Sequence, residues 1–254
     1  QRGAVDAAIL VVSGKDGVQP ITERVFAWTR ELGIPAIVVV TKVDAENTKP
    51  DEAVTEVKNR LKVPVCVMEA RIGEGAQYEG VITLRTQKAF LGKPEGPTAV
   101  TAGAVPASAK AQVDNGRARL VDDVAGTDDA LTEKYLTEGD LTQDELNEGL
   151  RHAIAASKLY PVYFVSSVKP SGIAGLLDAI VELVPPPHAH APFKGAVPTT
   201  KAGAQPAAAE RMATPDAPLA VYVFKTSWDQ HAGLTSWARV LSGTLKPDSS
   251  LINS

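Results

Sequence analysis

Several features are scarce in this sequence, and each scarcity removes a class of protein. Cysteine occurs once in 254 residues, as Cys66 within the apolar run VPVCVM. No intrachain disulfide is possible, which fits a reducing cytoplasm. Apolar runs are short, and none approaches the ~18 residues that cross a bilayer, so no membrane partner is expected. The opening QRGAVDAAILVV has no basic stretch followed by a cleavage site, and it reads as a chain entering partway into a fold. Basic residues are not in excess. The formal net charge is -4, which argues against the general basic footprint of a DNA-binding protein but leaves room for a local RNA-facing patch.

What is present is a β-α-β pattern. Ala7 to Val12 is a continuous apolar run, the mark of a strand covered on both faces. Ser13 to Gly17 break it. Pro20 suits a first helical turn, Val18, Val25, Thr29 and Leu32 recur at near-helical spacing, and Gly33 suits the position just past a helix end. Ala36 to Val40 form the next buried strand, which should lie parallel to the first through a right-handed crossover. Ligands of such sheets collect beyond the carboxyl ends of the strands. Thr41-Lys42-Val43-Asp44 falls there, with no turn residue between strand and charge. The arrangement recurs in YPVYFVSSVKPSGIAGLLDAIVELVPPP. A strand ends at Val165, the turn Ser166-Ser167-Val168 follows, and a helix presents Ile173, Leu176, Leu177, Ile180 and Val184 on one face.

These two loops have a chemistry in common. The Asp44 carboxylate can accept two hydrogen bonds side by side, from the N1-H and N2-H₂ donors of guanine. Adenine offers no such pair. Charge-assisted hydrogen bonds contribute roughly 1.5–3 kcal/mol each, so a carboxylate left unpaired discriminates by orders of magnitude. The aliphatic stem of Lys42 can lie along the base, and a backbone N-H in the Ser166-Ser167 turn can donate to guanine O6.

In this order and context the motifs resemble those of translational GTPases of the elongation factor G group. TKVD stands where that superfamily carries Asn-Lys-x-Asp, and SSV where it carries Ser-Ala-(Leu/Lys/Phe). DAAILVVSGKDGVQPITERVFAWTRELGIPAIVVVTKVD is similar to the core of the family's G domain. VPVCVMEARIGEGAQYEGVITLRTQKAF is similar to its insertion, and LAVYVFKTSWDQHAGLTSWARVLSGTLKPDSSLINS to the opening strands of its β-barrel second domain. The resemblance implies a P-loop GTPase-type α/β fold, a parallel sheet with helices on both faces, followed by an α+β insertion and first barrel strands. It implies a monomeric GTP-hydrolysing translation factor acting on the ribosome, with rRNA and stalk proteins as partners and GTP/GDP and Mg²⁺ as cofactors. The residues carried over to the nucleotide are Thr41, Lys42, Asp44, Ser166, Ser167 and Val168. Thr41 departs from the family's Asn, and its hydroxyl can make only one of that residue's two loop-tying bonds. Ser167 departs from Ala, mildly, because the backbone amide makes the contact. A non-hydrolysing paralogue that binds nucleotide or ribosome as a regulator is the alternative, favoured by Thr41.

One further absence qualifies this. No Gly-x₄-Gly-Lys-(Ser/Thr) phosphate loop occurs: Gly14-Lys15 is followed by Asp16, and Gly92-Lys93 by Pro94. Asp123-Val124-Ala125-Gly126 follows no strand and reads as chance. The expectation is an interior piece of a longer protein, with the phosphate loop, Mg²⁺ ligands and catalytic groups upstream of residue 1. No catalytic residue and no metal ligand is assigned within it; His188-Ala189-His190 has no Cys or carboxylate beside it.

The expected organisation is a G-domain core over 1–61, an insertion over 62–159 with a mobile loop near 94–116, and the end of the G domain over 160–187. A Pro/Ala-rich linker over 188–217 then leads into the second domain at 218–254. Thr142-Gln143-Asp144-Glu145 is a capping box opening a helix with Leu146, Leu150 and Ile154 inward. Acidic residues around it read as a solvated face. Asp16 and Gly17 read as a simple turn; Trp228, Trp237 and Arg239 read as core or barrel-surface packing residues of the second domain, with contact to RNA as the alternative.

Overall fold

The computed structural model describes residues 4–92, 100–169, 171–189, 191–197, 207–231 and 233–252. Its elements run β1 (Ala8–Ser13), α1 (Pro20–Glu31), β2 (Ala36–Thr41), α2 (Pro50–Leu61), β3 (Val65–Val67) and β4 (Glu69–Ile72). Next come β5 (Gly80–Thr83), β6 (Lys88–Gly92), β7 (Val100–Gly103), α3 (Lys110–Ala125), α4 (Asp129–Glu138) and α5 (Gln143–Ala155). Last are β8 (Tyr160–Phe164), α6 (Ile173–Leu183), β9 (Phe193–Ala196), β10 (Ala208–Arg211), β11 (Ala220–Asp229) and β12 (Gly233–Ser242). Ala7–Val184 forms one compact unit and Pro185–Ser254, with the first six residues, another.

In the first unit the sheet has the order β1-β2-β8-β3, all parallel. β2 lies at its centre and every residue from Ala36 to Val40 is buried, so an unbroken apolar run is what the position demands. Alternate side chains serve two cores. Ile37 and Val39 pack with Tyr163 and with residues of α3, α5 and α6; Val38 and Val40 pack with Leu10, Val12, Val162 and Phe164 and with α1 and α2. The expected α/β architecture, a parallel sheet with helices on both faces, is therefore present.

A second, antiparallel sheet β4-β5-β6-β7 follows directly from β3. Only Met68 separates β3 from β4. This sheet shares both cores with the first, Ala70, Ile82 and Ala89 lying in one and Val81 in the other.

The helices correct the sequence reading at several points. On α1 the inward residues are Thr22, Phe26 and Thr29, while Val25 and Trp28 are exposed. Phe26 sets the rotation by packing edge-on against Tyr160, with ring centroids 5.3 Å apart; a buried aromatic ring outweighs a valine. On α6 the inward stripe is Gly175, Ala179 and Leu183, flanked by Ile173, Leu176, Ile180 and Val184. Leu177 instead faces solvent. β1 is fully covered on one face only, since Ile9 and Val11 are exposed on the other.

The loop expected near 94–116 is only partly testable, because 93–99 lie outside the described residues. Beyond them Val100–Gly103 pairs with β6 and helix α3 starts at Lys110. Alanine is the best helix former, and Val113, Leu120, Val121 and Val124 supply a buried stripe that the small residues around them obscured. The capping box at Thr142 and Glu145 is formed, with Leu146, Leu150 and Ile154 buried. Of the nearby acids, Glu138 and Glu145 pair with Lys134. The hydrogen bond from Lys134, with those from Thr142, holds the Glu145 carboxyl down to about 2.

In the second unit, part of the stretch read as linker is strand: Phe193–Ala196 pairs antiparallel with Ala208–Arg211. Alanine and glycine on a two-stranded ribbon leave little patterning to read. β11 and β12 form a long hairpin with irregular register between Val223 and Lys225. Trp228 and Trp237 are exposed on it, so they are not core residues there, while the Arg239 guanidinium lies over the Phe193 ring.

Candidate functional site

Three loops leave adjacent parallel strands at the same sheet edge. Ser13 at the end of β1 is level with Thr41 at the end of β2, and Val40 is level with Phe164 of β8. The Val165 N-H then donates to Val40 O at 2.9 Å. Thr41-Lys42-Val43-Asp44 and Ser166-Ser167-Val168 are thus neighbours.

The first of these loops is pinned at its root. Gly14 N-H donates to Thr41 O and Lys49 N-H to Gly14 O, both at 2.8 Å. A Cβ on Gly14 would stand 2.7 Å from Thr48 Oγ1 and 3.0 Å from Thr41 O, so the two loops can dock only where no side chain intervenes. The Thr41 hydroxyl donates to Val12 O at 3.3 Å, using its single proton to tie the ends of β1 and β2.

Beyond the root the side chains open out. Lys42 adopts φ 58°, a left-handed conformation that costs a non-glycine residue roughly 1–2 kcal/mol. Such strain persists only where the surroundings enforce it. Its ammonium meets Asp16 Oδ2 at 3.0 Å, both side chains about half exposed. Asp16 in turn accepts the Ser13 hydroxyl at 2.6 Å. That bond first, and Lys42 second, hold the Asp16 carboxyl below its usual range. Asp16, read from sequence as a mere turn, is the counter-charge of the loop lysine; a Ser-x-x-Asp spacing at a strand end was the available signal. Val43 is buried and anchors the turn. Asp44 is half-buried, and among the described residues its carboxylate has no hydrogen-bond or ion-pair partner.

The second loop is built the opposite way. Ser166 is fully buried, and its hydroxyl oxygen accepts the N-H of Val168 at 3.2 Å and of Lys169 at 2.9 Å. Ser167 and Val168 are exposed. The Ser167 N-H has no acceptor among the described residues. Gly172 closes the loop with φ 78°; a Cβ there would lie 1.9 Å from Phe164 O, so only glycine can fold back onto the strand end. The Ser171 and Tyr78 hydroxyls are hydrogen-bonded at 2.8 Å, and Lys169 Nζ donates to Ala76 O and Tyr78 O at 2.8 and 2.9 Å.

Behind the loop lies Glu69, 1% exposed. Its Oε2 accepts the Phe164 N-H at 2.7 Å, while Oε1 is buried without a partner among the described residues. Burial raises its carboxyl to about 8, so the neutral acid prevails at pH 7. Burial, with Glu69 and Asp44 nearby, also pushes the Tyr78 phenol upward, against the hydrogen bond with Ser171. None of Glu69, Tyr78, Lys169 or Ser171 was singled out from sequence. A glutamate within an apolar run, VCVMEARI, was the one legible signal.

No group of three or more His, Cys, Asp or Glu able to hold a metal exists among the described residues. No helix among them is long and apolar enough to cross a membrane.

A family model described as the elongation factor Tu GTP binding domain matches residues 2–186. Among solved structures, a Thermus thermophilus protein known from its crystal structure aligns with a TM-score of 0.76 at 28% sequence identity. The alignment covers 98% of this chain and 33% of that one, so the chain spans about a third of the length of the Thermus protein.

Proposed function

The chain belongs to the elongation factor Tu GTP-binding domain family, the translational GTPases, and from that premise we propose that it is the guanine-reading part of an elongation factor G-like ribosomal GTPase. The supporting observation is the adjacency of the two loops on β2 and β8, joined by the Val165 N-H to Val40 O bond. Asp44, whose carboxylate no described residue occupies, accepts N1-H and N2-H₂ of guanine. The Ser167 N-H, left open when Ser166 Oγ takes the two amides after it, donates to O6. Val168 flanks that contact. Asp16 draws the Lys42 ammonium aside and leaves its methylenes to cover the base. Thr41 fixes the loop root to β1.

The whole protein would couple GTP hydrolysis to a movement of the ribosome in translocation or a related step, with rRNA and stalk proteins as partners, in the cytoplasm and as a monomer. Phosphate and Mg²⁺ binding would fall to residues outside this stretch. Nucleotide competition tests the guanine assignment. GDP should displace a labelled guanine nucleotide from the full-length protein, and ADP should not. Equal displacement by ADP overturns it.

The second reading, a nucleotide-binding paralogue that does not hydrolyse, is supported by Thr41. Its hydroxyl is committed to Val12 O and leaves one fewer tie for a phosphate loop than Asn would. Ribosome-stimulated GTP turnover of the full-length protein separates the two.

A further inference from the structure

We propose that the insertion following β3 acts as a three-point clamp on the β8–α6 loop, and that Tyr78, Lys169 and Glu69 are positioning residues for the O6-reading amide. This rests on the guanine assignment above and adds to it the part of the molecule that sets the strength of one of its contacts.

The geometry requires some such device. β3 pairs with β8 only as far as Val67 opposite Val162, after which the chain leaves for the antiparallel sheet. The Phe164 N-H therefore loses the strand partner that would have continued the ladder, and a buried amide without an acceptor is costly. Glu69 meets it with a side-chain oxygen at 2.7 Å, so the end of β8 is held from the insertion rather than from a neighbouring strand. Two residues later the loop begins. Its far side is held by Tyr78 on Ser171 and by Lys169, whose ammonium reaches over to two carbonyls of the 76–78 turn. Both ends of the turn from Ser166 to Gly172 are thus fixed by groups of the insertion, Glu69 on β4 and the turn between β4 and β5, and Asp44 is held by none of them.

A backbone donor gains its value from fixed placement. A displacement of a few tenths of an ångström lengthens the O6 contact while leaving the Asp44 contacts alone. Loosening the clamp should therefore cost affinity only through O6. The probe that isolates O6 is 6-thioguanosine diphosphate, which keeps both donors for Asp44 and replaces the O6 acceptor by a weakly accepting sulfur.

The experiment measures affinities of GDP, 6-thio-GDP and ADP for the full-length protein and for its Tyr78→Phe, Lys169→Met, Glu69→Gln and Glu69→Leu variants. The wild type should favour GDP over 6-thio-GDP by about tenfold, the value of one good hydrogen bond. In Tyr78→Phe, Lys169→Met and Glu69→Leu that ratio should fall below about threefold through weaker GDP binding alone. Glu69→Gln keeps an acceptor for the Phe164 N-H and should retain the wild-type ratio. Equal weakening of both guanine nucleotides, or unchanged affinities in all variants, overturns the clamp. Failure of the wild type to prefer GDP over ADP overturns the guanine assignment instead, so the two failures are distinguishable.

Discussion

The two loops at the sheet edge are built by opposite means. The Thr41–Asp44 loop is short, docked at its root by Gly14 and Lys49, and open beyond it, with Asp44 unengaged by any described residue. The Ser166–Gly172 loop is closed, its amides taken up by a buried serine hydroxyl and its outer side held by Tyr78 and Lys169. On the proposed guanine assignment, the difference follows from which atoms would contact the base. A side-chain carboxylate carries its own charge and can find its donors, so it needs freedom from competing partners. A backbone amide is a weaker, fixed donor, and its selectivity depends on the rigidity of everything around it.

The sharpest way to break that contrast is Asp44→Asn. Two charge-assisted hydrogen bonds are lost and one amide donor is turned toward two others, which should weaken GDP binding by ~3–6 kcal/mol, or ~10²–10⁴-fold. Xanthine nucleotide, with a carbonyl where guanine has its amino group, should gain; titration with both diphosphates reads the exchange. Ser166→Ala tests the closed loop. It removes the acceptor of two partly buried amides and should cost ~1–3 kcal/mol of stability, measured by denaturant unfolding, with GDP affinity falling by about tenfold.

Glu69 offers a pH test of the closed side alone. Its carboxyl rises from an ordinary 4.5 to about 8 in the folded protein. A raised value means the folded state binds the proton more tightly, so the associated stability is full below pH 4.5 and is lost as pH climbs through 8. Unfolding free energy should thus decline across that window by up to ~1.4 kcal/mol per pH unit, with the Tyr78 and Tyr163 phenols facing the same carboxyl. Glu69→Gln should flatten the slope, and an unaltered slope would remove Glu69 as its source. The smallest effect belongs to Asp16→Asn. An exposed pair with Lys42 contributes little, so GDP affinity should change by at most about fivefold, and less as salt is raised.

Much of this was legible in the chain itself. A wholly apolar run ending in Thr-Lys-x-Asp has one comfortable place, a central parallel strand with a polar loop at its carboxyl end, and β2 occupies it. The capping box at Thr142 and the stripe at Leu146, Leu150 and Ile154 were equally plain, because hydrogen-bonding and periodicity rules act within a few residues. The errors share a cause. Which face of α1 turns inward was decided by Tyr160, on a strand far away in sequence. Leu177 and Ile9 are apolar yet exposed, since apolarity does not say where a neighbour ends.

Local chemistry, then, fixed the identity of the strands, the helix starts and the two polar turns. It also supplied the charge that Asp44 brings to the edge. What the folded molecule alone decided is which distant groups meet: Lys42 with Asp16, Ser171 with Tyr78, and Glu69 with the Phe164 amide. Glu69 and Phe164 stand 95 residues apart, and no propensity or motif acts over such a span. Only the departure of β3 from the sheet, leaving an amide that must be satisfied, brings them together.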